Sequence, residues 1–239
     1  MQFIDTHIHL QDDKSNNTTE IITQAFANGC QKLICASSTE ADWEQVAELT
    51  VNFPQITVPA FGIHPWYVTT VKDGWQTRLQ QYLQKFPQAL IGEAGLDGLK
   101  PEVEQQKQLF AEHIKLAKEY QRPLIIHAVK AVPLLEDFWK QLPPKFVFHG
   151  FNGKSELLQK ILQHGGYIGI GSGVLKTPKA KEILKQIPIE KLLFETDAPY
   201  LAPSPWAIRE QAEQIAALRE ENADKLAQQV YLNSLEFIK

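Results

Sequence analysis

Cysteine is scarce in this chain: of 239 residues, only Cys30 and Cys35 carry a thiol. Two cysteines exclude a disulfide framework, and their placement at a helix end and on a buried strand predicts reduced core residues. Long apolar runs are missing as well. Stretches such as Pro123 to Ile126 fall far short of the roughly 20 residues a membrane span requires. The first residues run straight into Phe3-Ile4-Asp5-Thr6-His7, with no basic segment leading into an apolar one, so no secretory signal is recognised and a cytoplasmic location is expected. An excess of positive charge is also lacking. With 24 basic and 28 acidic side chains and a net charge of -4, the chain lacks the footprint of a tight nucleic-acid binder, and any such partner is expected to be held locally and weakly. Low-complexity segments and long linkers are absent.

What the chain does contain is an alternation. Short runs rich in Ile, Val, Leu and Phe, at Phe3-Thr6, Lys32-Ala36, Thr57-Gly62, Ala89-Gly92, Pro123-Ile126, Phe146-Phe148, Tyr167-Ile170 and Leu192-Phe194, read as buried strands. Longer segments of helical period separate them, such as Val103 to Tyr120 with Leu109, Phe110, Ile114 and Ala117 on one face. The strand ends recur every 22 to 34 residues, one strand-helix unit each. Eight such units predict a closed parallel α/β barrel of the TIM type, a (β/α)8 fold in one domain over residues 1–239. Trp206 to Leu218 and Ala223 to Phe237 read as two final helices outside the barrel.

Five histidines and two acids coincide with these strand ends: His7, His9, His64, Glu93, His127, His149 and Asp197. One mouth of a barrel would collect them, and imidazoles with carboxylates are the ligand set of a divalent metal pair. In His7-x-His9 the two imidazoles share one side of a strand, about 6 to 7 Å apart. By the same period of two, Asp5 joins them, and Glu195 joins Asp197 on the neighbouring last strand. His127 and His149 could each alone be a satisfied core residue, and His7-x-His9 alone an accident or a surface pair; the joint placement argues otherwise. His113, in mid-helix, and His164, near a helix end, read as structural or solvated. His64, in Gly62-Ile63-His64-Pro65-Trp66, reaches the mouth but lies outside the most economical metal set, so substrate contact is expected of it.

Phe3-Ile4-Asp5-Thr6-His7-Ile8-His9-Leu10, Gly92-Glu93-Ala94-Gly95-Leu96-Asp97, Pro123-Leu124-Ile125-Ile126-His127, His149-Gly150-Phe151-Asn152-Gly153 and Glu195-Thr196-Asp197-Ala198-Pro199-Tyr200-Leu201 resemble the signatures of the TatD family of metal-dependent deoxyribonucleases, which belongs to the amidohydrolase-like barrels. The resemblance runs in order over nearly the whole chain. It implies a divalent-metal-dependent hydrolase of phosphodiester bonds, with His7, His9, Glu93 and Asp197 around one ion and Glu93, His127 and His149 around a second. Glu93 and Asp197 would then be catalytic, Asp197 accepting the proton of the attacking water as general base. Asp5 and Glu195 would orient ligand imidazoles through the nitrogen opposite the metal. The donor set suits Zn, Mn or Co, with Mg common in phosphate chemistry.

The resemblance breaks in places. Family members commonly carry Ser-Arg after the strand-five histidine, where this chain has Ala128-Val129-Lys130; Lys130 is the remaining candidate for a phosphate contact, without the arginine's fork. The loop beyond Leu201 also differs. Lys176, Lys179 and Lys181 offer a small basic cluster, and Trp66, Tyr67, Phe151 and Tyr200 offer rings on which bases of a weakly held single-stranded DNA could stack. Two alternatives stay open: a hydrolase of a small amide, imide or lactone, and a metal-binding barrel without nuclease activity. A monomer is expected.

Overall fold

The computed structural model describes residues 1–15 and 17–239. Eight parallel strands follow one another around a single sheet in chain order: β1 Phe3–Ile8, β2 Cys30–Ala36, β3 Thr57–Phe61, β4 Leu90–Asp97, β5 Leu124–Val129, β6 Phe146–Phe148, β7 Tyr167–Ile170 and β8 Leu192–Phe194. The helices pack outside: α1 Thr18–Ala27, α2 Trp43–Asn52, α3 Trp75–Lys85, α4 Val103–Glu119, α5 Ser155–Gln163, α6 Ser172–Leu175, α7 Ala180–Gln186, α8 Ala207–Arg219 and α9 Ala223–Phe237. This is the expected (β/α)8 barrel in one domain. No helix among the described residues is long and apolar enough to cross a membrane.

Two layers of apolar side chains result from the strand period. Ile4, Ile34, Val58, Ala60, Leu90, Ile125, Val147 and Leu193 fill the barrel, and Phe237 at the end of α9 packs among them. Their neighbours along each strand, such as Phe3, Leu33, Phe61, Phe146 and Phe194, meet the helices. Between β8 and β1 the barrel is closed by single bonds: Thr6 Oγ1 donates to the Phe194 carbonyl (3.0 Å), Asp197 N–H to His7 (2.9 Å) and His9 N–H to Ala198 (2.8 Å). Those bonds fix the two ends that carry His7, His9 and Asp197 side by side.

The structure departs from the expected elements in several places; β1, for one, runs past Thr6 to Ile8. β4 and β5 run beyond their predicted ends, to Asp97 and Val129, with Gly95 paired to His127. Glycine permits this: at Gly95 (φ +154) a Cβ would overlap the His127 carbonyl, so the two backbones meet only where the side chain is missing. The connection from β5 to β6 holds two short 3-10 turns, Val132–Leu135 and Trp139–Gln141, in place of an α-helix, and Pro133, Pro143 and Pro144 within that span explain the interruption. Cys30 opens β2 instead of ending a helix; like Cys35 it is buried and free.

His113 on α4 is structural, as expected. Its ring stacks on Trp75 at 4.7 Å, Nδ1–H donates to the Leu109 carbonyl (2.8 Å) and Nε2 accepts from the N–H of Ile63 (3.1 Å). Burial lowers its pKa to about 4, against an ordinary value near 6.5. The unfolded chain therefore binds the proton first, and stability is lost as pH falls from about 6.5 toward 4, by up to roughly 3 kcal/mol. Urea unfolding at pH 7 and pH 4.5 is expected to show most of this loss in the wild type and a smaller one in His113→Gln. Equal losses in both would remove His113 as the cause.

Candidate metal centre

At the C-terminal mouth of the barrel the structure gathers all seven residues picked from the strand ends, with Glu93 in the middle. One carboxylate oxygen, Oε2, lies 3.3 Å from His7 Nε2 and 3.4 Å from His9 Nε2. The other, Oε1, lies 2.6 Å from His149 Nε2, 2.8 Å from His127 Nδ1 and 3.3 Å from His64 Nε2. Asp197 joins the first side, its Oδ1 3.5 Å from His9 Nε2 and 3.8 Å from His7 Nε2. Three groups have donor atoms within 4.8 Å of one another: His7, His9 and Asp197; His7, Glu93 and His149; His64, Glu93 and His127. So dense a set of buried nitrogen and oxygen donors fits divalent cations of intermediate softness.

The electrostatics agree with a cluster held together by opposite charge. Burial alone would raise the Glu93 pKa, but His149, His64 and His7, with the hydrogen bond from His127, hold it well below the usual carboxylate range. Burial disfavours the charged form of His149, and Glu93, Glu195 and Asp197 more than reverse that, raising its pKa. Burial also raises Asp197, partly countered by His149 and His9.

Local structure sets each residue's role. Asp197 lies past the end of β8 with φ +53, a left-handed turn that ends the period of two and tips its carboxylate toward His9. Glu195 keeps that period and lies beneath the cluster, its Oε1 3.9 Å from His149 Nδ1 while also accepting the N–H of Gly150; Gly169 leaves the room its carboxylate occupies. Asp5 differs from expectation. A bulge between Asp5 and Ile8 breaks the alternation in β1, so Asp5 does not follow the face of His7 and His9. Its carboxylate accepts from Thr196 N–H (3.0 Å), Thr196 Oγ1 (2.5 Å) and the His7 backbone N–H (3.3 Å), while His7 Nδ1 has no partner. Asp5 therefore fastens the β1–β8 seam, not an imidazole.

His64 comes closer to the centre than its sequence context suggested, 3.1 Å from His127 Nδ1. Its Nδ1 accepts the backbone N–H of Trp66 (3.1 Å), so the neutral ring carries its proton on Nε2 and points a donor at the cluster. Lys130 is exposed on the rim with a left-handed backbone (φ +48). Lys181 pairs with Glu220 at 2.7 Å, which takes it out of the basic cluster. Phe151 is buried in the core and offers no stacking face. Trp66 and Tyr200 are exposed, and each is pinned by its polar atom: Trp66 Nε1–H donates to Asp97 (2.5 Å) and the Tyr200 hydroxyl to Asp12 (2.8 Å). Asp97 lies beyond the predicted strand end at Gly92 and is not among the residues expected at the site; β4 in fact runs to it.

A family model described as "TatD related DNase" matches residues 4–239. The chain belongs to the TatD family. It is 32% identical over 250 residues to the uncharacterized metal-dependent hydrolase YjjV of Escherichia coli K12, a match covering 98% of this chain and 96% of that protein. The crystal structure of YjjV is similar throughout, with a TM-score of 0.91 at 30% identity over 98% of this chain and 97% of that one. A second TatD relative, the 3'-5' ssDNA/RNA exonuclease TatD of Escherichia fergusonii, is 32% identical over 197 residues, covering 77% of this chain and 74% of that protein. This TatD-family chain is thus a metal-dependent hydrolase, and its His, Glu and Asp groups are suited to a divalent metal.

Proposed function

We propose that the protein hydrolyses phosphodiester bonds of nucleic acid, single-stranded DNA among them, with two divalent cations, as a monomer in the cytoplasm. The observation that carries the reading is the division of the imidazoles between the two oxygens of Glu93, His7 and His9 on one and His64, His127 and His149 on the other. Glu93 with His7, His9 and Asp197 would hold one ion, and Glu93 with His127 and His149 the other. When bound, Zn, Mn, Co or Mg would lower the pKa of water and stabilise the leaving oxygen. Asp197 Oδ1 takes the proton of the attacking water and returns it to the leaving oxygen. His64 Nε2–H donates to a phosphate oxygen, a role its bond from Trp66 supports. Glu195 steadies His149 from beneath, and Lys130 supplies charge at the rim. The exposed faces of Trp66 and Tyr200 flank the entrance as stacking surfaces for unpaired bases. The free, buried thiols of Cys30 and Cys35, both raised by burial, suit a reducing compartment.

The test is cleavage of a short single-stranded DNA by metal-reconstituted protein, beside a chelated sample and a panel of lactones and amides. Cleavage that stops on chelation is expected. Turnover of a lactone or amide with none of DNA would move the assignment to carbonyl hydrolysis, and bound metal without turnover of either would leave a binding protein.

A further inference from the structure

His127 reaches the cluster through Nδ1, which lies 2.8 Å from Glu93 Oε1. Its other nitrogen, Nε2, is buried and without a hydrogen-bond partner. A neutral imidazole has one N–H and one lone pair, so a ring that offers Nδ1 to a cation carries its proton on Nε2 and needs an acceptor there. Among the described residues one carboxylate lies within 4 Å of that nitrogen, Asp97, whose Oδ2 is 3.6 Å away. The carboxylate is firmly placed: Oδ1 accepts the Leu99 N–H (2.8 Å), and Oδ2 the indole N–H of Trp66 (2.5 Å). Its backbone is clasped as well, since Asp97 N–H donates to Gln106 Oε1 (2.8 Å), and the Gln106 amide donates back to the Asp97 and Pro101 carbonyls (3.3 and 2.8 Å). Gln106 is fully buried on α4, so the helix behind the strand holds the acid in register with His127. On the outer side Lys100 Nζ lies 4.4 Å over the Trp66 ring, and the Trp66 and His127 rings are 6.4 Å apart.

We propose that Asp97 is a positioning residue whose Oδ2 takes the Nε2–H of His127, fixing the tautomer that leaves Nδ1 for a divalent cation, while the same oxygen anchors the Trp66 indole at the rim. One carboxylate then links the metal seat to the surface that meets substrate. The inference rests on reading the cluster as a metal centre. It makes Asp97 act through His127, without touching the reacting atoms.

Calorimetric titration of metal-free protein with Mn2+ tests it. Asp97→Asn is expected to bind about 10- to 100-fold more weakly than wild type, the range for losing a carboxylate behind a ligating imidazole. Trp66→Phe, which removes the indole partner alone, is expected to bind within about twofold of wild type. Wild-type affinity in Asp97→Asn would overturn the proposal while leaving the metal centre standing; equal weakening in both variants would overturn it by tracing the effect to the Trp66 loop. A wild type that takes up no Mn2+ would overturn the metal reading and this inference with it. Should Asp97→Asn fail to fold, 15N spectra of the Zn2+-loaded wild type decide. A His127 ring protonated on Nε2 supports the proposal, and one protonated on Nδ1 overturns it.

Discussion

Replacing Glu93 with glutamine is expected to lower kcat/KM on a phosphodiester by about a thousandfold or more, a loss of roughly 4 kcal/mol in transition-state stabilisation. The size follows from position. Five imidazoles lie within 3.4 Å of its two oxygens, so the neutral amide removes the one negative charge that both halves of the cluster share and places an NH2 group against ring nitrogens. Metal analysis of the purified variant is the accompanying measurement: bound metal is expected to be lost or much weakened. Retained metal with near-normal activity would rule out Glu93 as the shared ligand. Glu93 is buried, so the loss should fall on kcat more than on KM.

Asp197→Asn is expected to lower kcat by about a thousandfold, within the range for removing a general base, by a different route. The contacts of Asp197 within 4 Å are with His7 and His9, so the proposed seat of Glu93, His127 and His149 stays whole and bound metal should fall by about one ion per chain. Asparagine keeps the shape of the side chain and its backbone N–H bond to His7, leaving the barrel seam closed. Rapid-quench kinetics with metal in excess separates the two contributions. If excess metal restores the full rate, Asp197 serves as a ligand alone and the proton passes elsewhere.

The histidines and acids at the strand ends were legible in the sequence because a barrel's strands end at one mouth, and a strand end can be read from an apolar run that stops. Asp97 was not legible. The predicted strand stops at Gly92, whereas in the barrel Gly92 and Gly95 are what lets β4 continue against β5, and only that extension carries Asp97 to His127. Asp5 was misread for a related reason. Alternation along a strand holds until a bulge, and the bulge in β1 comes from pairing with β2, which the run of residues from Phe3 to His9 does not reveal.

The sequence by itself determined the class of fold, the order of its elements and the chemistry of the mouth, since these depend on local period and on which residue types stand at strand ends. The tertiary structure decided how the donors are shared. It set His127 and His149 on one oxygen of Glu93 and His7 and His9 on the other, it turned His64 Nε2 toward the centre through the bond from Trp66, and it drew Asp5 away to the seam. Such choices depend on distances of a few ångströms between strands far apart in the chain, and those distances exist only once the barrel has closed.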